Sequence, residues 1–185
     1  MMKTFLKLFL ILTLGMVLAI ASHNWFDNWF ETFLYDDFRS TVLPSTIETS
    51  GAKIIDSFPS QLEQIVLGPL LFRGESCGAA IFNLSDKTLA DIERSGLAYL
   101  QTSRQPPGGD TSYEYANWQE TPIPKEWINK DSVLWSGLGC VNLDRSFVLK
   151  LYDAADSPGS YFTTNRVATL VVIPRLKVAV YSWWD

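Results

Sequence analysis

The chain has 185 residues, 47% of them hydrophobic and 19% charged, with a net charge of −5. That length suits a single domain, and that much apolar material can build a core, so an intrinsically disordered chain is excluded. Setting aside Lys3 and Lys7 near the start leaves 13 basic and 20 acidic residues, a net charge of −7. With no Lys/Arg cluster to offset it, such a chain repels phosphate backbones, and no nucleic-acid partner is expected.

Residues 1–7 carry two lysines, and residues 8–21 then run for 14 residues without a charge. A charged start followed by an apolar helix reads as a secretory signal or as a membrane anchor. A spanning helix needs about 20 residues, and the run reaches 17 counted from Phe5 if Lys7 snorkels to the headgroups. Ala19-Ile20-Ala21 offers the small-x-small pattern of a cleavage site after residue 21. Both readings place the remainder outside the cytoplasm, either secreted or periplasmic after cleavage, or held at the membrane by the uncleaved segment.

Residues 22–58 are expected to form an aromatic helix and a connecting loop. Trp25, Trp29 and Phe33 recur every four residues, as do Phe26, Phe30, Leu34 and Phe38, which is a helical period. An amphipathic helix packed on the domain accounts for this pattern. An interfacial helix continuing from an anchor is the alternative, against which the acidic Asp27, Glu31, Asp36 and Asp37 count. The Ser, Thr and Gly content of residues 39–58 reads as a loop.

The globular domain is expected over residues 59–185. Residues 60–67 read as a short helix stopped by Gly68-Pro69. Residues 79–84 read as a buried strand. Ser85 is placed to cap a helix over 86–95 with Leu89, Ala90 and Ile92 inward, and Gly96 to end it. Strands are then expected over 97–102, 112–119, 132–138, 146–152, 166–173 and 176–183. Turn regions fall at 104–110 and 153–160, and Pro174-Arg175 makes a tight turn between the last two strands. Helices early and strands late indicate an α+β fold, an N-terminal hydrophobic helix followed by one domain with an antiparallel sheet and two or three short helices.

Cys77 and Cys140 are the only cysteines. An even count in an exported chain predicts one disulfide. Two cysteines without nearby histidines cannot complete a tetrahedral metal set, and no metal or cofactor is expected. Gly74-Glu75-Ser76-Cys77-Gly78 matches the nucleophile-elbow pattern. An elbow needs a strand before it, a helix after it and a later histidine; a strand follows here, and the only histidine is His23. Asp153, Asp156, Ser157 and Ser160 could offer oxygens to calcium, but the spacing matches no EF-hand, and Asp in a turn needs no metal. Asn83-Leu84-Ser85 has the pattern of a glycosylation acceptor.

Two functional readings follow. One is a non-enzymatic extracytoplasmic module that binds a protein partner, a basic one given the charge. The other is a glycan-binding or glycan-cleaving envelope domain. Its contacts would be Tyr113, Glu114, Tyr115, Trp118, Glu120 and Trp127, because aromatic faces beside carboxylates suit sugar rings and paired carboxylates can cleave glycosidic bonds.

Overall fold

A computed structural model describes residues 36, 38–58, 77–105, 114–124, 137–166 and 168–184, with backbone alone at 52–58 and 184. The chain divides into two compact units, residues 1–39 and 40–185. In the first, residues 36, 38 and 39 are helical. The expected hydrophobic helix over 1–21, nearly all of the aromatic helix, the helix over 60–67 and the strand residues 132–136 lie outside the described residues. Among the described residues no helix is long and apolar enough to cross a membrane.

The second unit is built on a sheet that is antiparallel at every pairing. Its strands are β1 (Thr49–Phe58), β2 (Cys77–Leu84), β3 (Gln119–Glu120), β4 (Tyr161–Thr164), β5 (Ala168–Ile173) and β6 (Val178–Trp184). Their order across the sheet is β1-β2-β6-β5-β4-β3. The pair β5–β6 is a hairpin in register from Ala168↔Trp183 to Ile173↔Val178. One 3-10 turn, Pro174–Leu176, joins them and is closed by Lys177 in the left-handed region. Both strands and the turn follow the sequence reading. So does β2, whose unbroken apolar run fits a strand covered on both faces.

β1 was expected as loop. Thr49–Phe58 instead pairs along β2, with register shifts between Thr49 and Gly51 and between Ala52 and Ile54. The Ser, Thr and Gly content hid it, and pairing with a buried strand overrode local composition, as is usual for strands.

Two further expectations are corrected. Within 97–102, residues 97–101 form a short helix rather than a strand, and residues 146–152 lie within a long one. The helices are α1 (Asp86–Ser95), α2 (Leu97–Gln101) and α3 (Arg145–Asp156). Ser85 caps α1 by accepting from the Thr88 amide, and the Gly96 amide closes it on the Ile92 carbonyl. Gly96 sits at φ +51, where a side chain is strained, and it turns the chain straight into α2. Ile92 is buried as expected and Leu89 half-buried, but Ala90 is exposed and Thr88 takes the inward place. Asp144 caps α3 by accepting from the Phe147 amide. The buried Leu151, Ala154 and Ala155 of α3 follow a helical spacing, not an alternating one.

The layers follow from strand alternation. On one face Ala79, Ile81, Phe162, Val171, Ile173, Val178 and Val180 pack with Leu151, Ala154 and Ala155 of α3 and with Leu138. The two alanines let α3 lie close to the strands. Residues of the other parity, among them Phe82, Leu170 and Tyr181, are buried on the opposite face. Tyr161 of that face brings its hydroxyl to 3.1 Å from where a Cβ on Gly96 would stand, which places the α1–α2 junction there. Residues 42–48 belong to the same layer. Val42, Leu43 and Ile47 are buried, Thr88 Oγ1 donates to the Glu48 carbonyl at 3.0 Å, and the Glu48 amide donates back to Thr88 Oγ1 at 2.9 Å.

Candidate functional site

The stretch proposed for glycan contact divides between core and surface. Tyr115 is buried and its hydroxyl donates to the Val42 carbonyl at 2.5 Å. Trp118 is buried and its indole N–H donates to the Ser103 carbonyl at 2.8 Å. Both rings are enclosed with their polar ends satisfied, so neither offers a face to a sugar. Glu114 and Glu120 are exposed, and Glu114 meets Arg104 at 3.4 Å. Tyr113 and Trp127 lie outside the described residues. The expected strand over 112–119 is reduced to Gln119–Glu120 at the sheet edge. Tyr115 and Trp118 are buried three residues apart, with Ala116 and Asn117 exposed between them, which is not the alternation of a flat strand. The segment still lies beside β4, for the Ala116 amide donates to the Thr164 carbonyl at 2.8 Å. Burial, then the nearby Glu120 carboxylate, pushes the Tyr161 hydroxyl above its usual pKa.

The cysteines are joined. Cys77 opens β2, Cys140 ends a 3-10 turn over Gly137–Cys140, and their Cα atoms are 6.0 Å apart. Both are half-buried. The turn lies flat on β2 and β6. A Cβ on Gly137 would stand 2.0 Å from the Gly78 carbonyl oxygen, 2.6 Å from Ser182 Oγ and 2.7 Å from the Trp183 carbonyl oxygen, so only glycine fits. Leu138 reaches into the core beneath α3. Ser182 is enclosed under the same turn, and its hydroxyl has no hydrogen-bond partner among the described residues. Enclosing such a group costs about 1–3 kcal/mol. Burying a leucine side chain such as Leu138 returns about 1.5–3 kcal/mol.

Gly78 of the elbow-like pattern is a buried strand residue of β2, and residues 74–76 lie outside the described set. Asp153 and Asp156 belong to the last turns of α3 rather than to a loop, and Asp153 accepts from Arg175 at 2.7 Å. No group of three or more His, Cys, Asp or Glu able to hold a metal occurs among the described residues. Asn83 of the acceptor pattern is a half-buried strand residue, and Ser85 is occupied in capping α1.

Sequence reasoning did not find the outer face of α3. Leu149 is 59% exposed and Tyr152 37% exposed, the large hydrophobic residues most open to water among the described residues. Three residues apart on a helix, they are neighbours on one stripe. Exposed Arg145, Ser146, Lys150, Asp153 and Asp156 surround them. The spacing of Leu151, Ala154 and Ala155 was the available signal, because it fixes the inward face and therefore the outward one.

No protein family, curated protein or solved structure matches this chain.

Proposed function

We propose that this is an extracytoplasmic, non-enzymatic domain that binds a protein partner, with residues 1–21 acting as its export signal or anchor. The Cys77–Cys140 bridge supports the compartment, since such bonds persist in oxidising surroundings. The outer face of α3 carries the binding half of the reading. A tyrosine beside an aliphatic side chain on a helix backed by packed core is the kind of rigid anchor that interfaces use. The chain's acidity favours a basic partner. Residues 22–38 hold Asp27, Glu31, Asp36 and Asp37 with no Lys or Arg among them. A net negative charge raises the encounter rate with a basic protein and makes it sensitive to salt. The glycan reading keeps Glu114 and Glu120 at the surface but has lost Tyr115 and Trp118 as stacking faces.

The test is photo-crosslinking in the producing cell, with the reactive side chain placed at position 149, 152 or 93. Positions 149 and 152 should give one discrete adduct that fades above roughly 0.5 M salt, where the screening length is only a few Å. Glu93, an exposed residue of α1, should give none. Absence of adducts at 149 and 152, or the same adducts from 93, would remove the reading.

A further inference from the structure

We infer that the Cys77–Cys140 bridge is a thiol-sensitive latch. It holds the Gly137–Cys140 turn down on the sheet, and its reduction lets that turn lift while the sheet stays formed. Three observations carry this. First, the turn's own contacts oppose one another. Leu138 favours the seated state by entering the core, while the enclosed Ser182 hydroxyl, without a hydrogen-bond partner among the described residues, favours the lifted state, in which water reaches it. Second, the seated turn packs closely, for a Cβ on Gly137 would stand 2.0 Å from the Gly78 carbonyl oxygen and 2.6 Å from Ser182 Oγ. Third, both cysteines are half-buried rather than fully enclosed, and Cys77 opens β2. The strands do not depend on it, because β2 is held along its length by both β1 and β6, and the hairpin β5–β6 closes on itself.

The chemistry balances with a dithiol reductant. One thiolate attacks a bridge sulfur, the S–S bond breaks, and the mixed disulfide is resolved by the reductant's second thiol. Both cysteines are left as thiols and the reductant as a disulfide.

The test is amide hydrogen exchange on the full chain, oxidised and then reduced and alkylated, with Cys77→Ser and Cys140→Ser as alkylation-free counterparts. Reduction should speed exchange at residues 138–140 by about tenfold or more and leave β5 and β6 protected. Ser182→Ala, which removes the enclosed hydroxyl, should cut that acceleration in the reduced protein. Unchanged exchange at 138–140 after complete reduction would overturn the latch. So would loss of protection in β2, β5 and β6 together with the turn, since the bridge would then hold the whole fold. An acceleration unaffected by Ser182→Ala would overturn the part assigned to the hydroxyl.

Discussion

Gly137 and Trp118 show how single side chains fix this fold. At Gly137 a methyl group would stand 2.0 Å from a backbone oxygen, and the backbone must move to admit it. Gly137→Ala should therefore destabilise the domain by about 1–3 kcal/mol, read as a lowered urea midpoint. Exposed Gly139, with nothing within 4 Å of its Cβ position, is the control and should tolerate alanine far better. Trp118→Phe keeps most of the buried ring but removes the donor to the Ser103 carbonyl. Leaving that oxygen unpaired should cost about 1–3 kcal/mol in the same measurement. Glu114→Gln breaks only an exposed ion pair and should change stability by less than about 1 kcal/mol. A large loss at Glu114 would contradict its placement at the surface.

At the scale of elements, the caps decide where helices begin. Ser85→Ala should weaken α1 by about 0.5–2 kcal/mol, seen as faster exchange at the Thr88 and Leu89 amides. Asp144 does the same work for α3, where the Ser146 hydroxyl, and then the Phe147 amide, hold its carboxyl below the ordinary value of 3.8. A carboxyl lowered on folding stabilises the fold above its unfolded pKa, and that contribution fades as pH falls through the folded value. The Phe147 amide should thus keep its protection from pH 7 down to about pH 4 and lose part of it only as pH falls below the ordinary carboxylate value. Asp144→Asn should lack that acid step.

These elements also show what the sequence could reveal. Strands β2, β5 and β6 were legible because their apolar runs are bounded by turn residues, and α1 because Ser85 and Gly96 punctuate it. In α2 the five residues are too few for a period to separate helix from strand. In α3 the apolar residues Phe147, Val148, Leu149 and Leu151 suggest a strand until the stretch is extended to Ala154 and Ala155. β1 was hidden because only its partner makes it a strand. Within the glycan stretch the burial of Tyr115 and Trp118 escaped composition for a related reason, since it is set by tertiary contacts with the Val42 and Ser103 carbonyls.

Over the whole molecule, the disulfide joins the start of β2 to a turn 63 residues later. Closing a loop of that length in the unfolded chain stabilises the native state by roughly 4 kcal/mol on the chain-entropy account. Domains of this size have about 5–15 kcal/mol in total, so the reduced protein should stay folded at 25 °C but unfold at a clearly lower urea concentration. The bridge thus bears on compartment, stability and the seating of the turn at once. Labelling of the two cysteines in protein recovered from its own cells tests this most directly, by intact mass before and after reduction. The prediction is no label until a reductant is added and then two labels, on protein that has lost residues 1–21 or sits in the membrane fraction. Two labels taken up without reductant would contradict both the bridge and the extracytoplasmic placement.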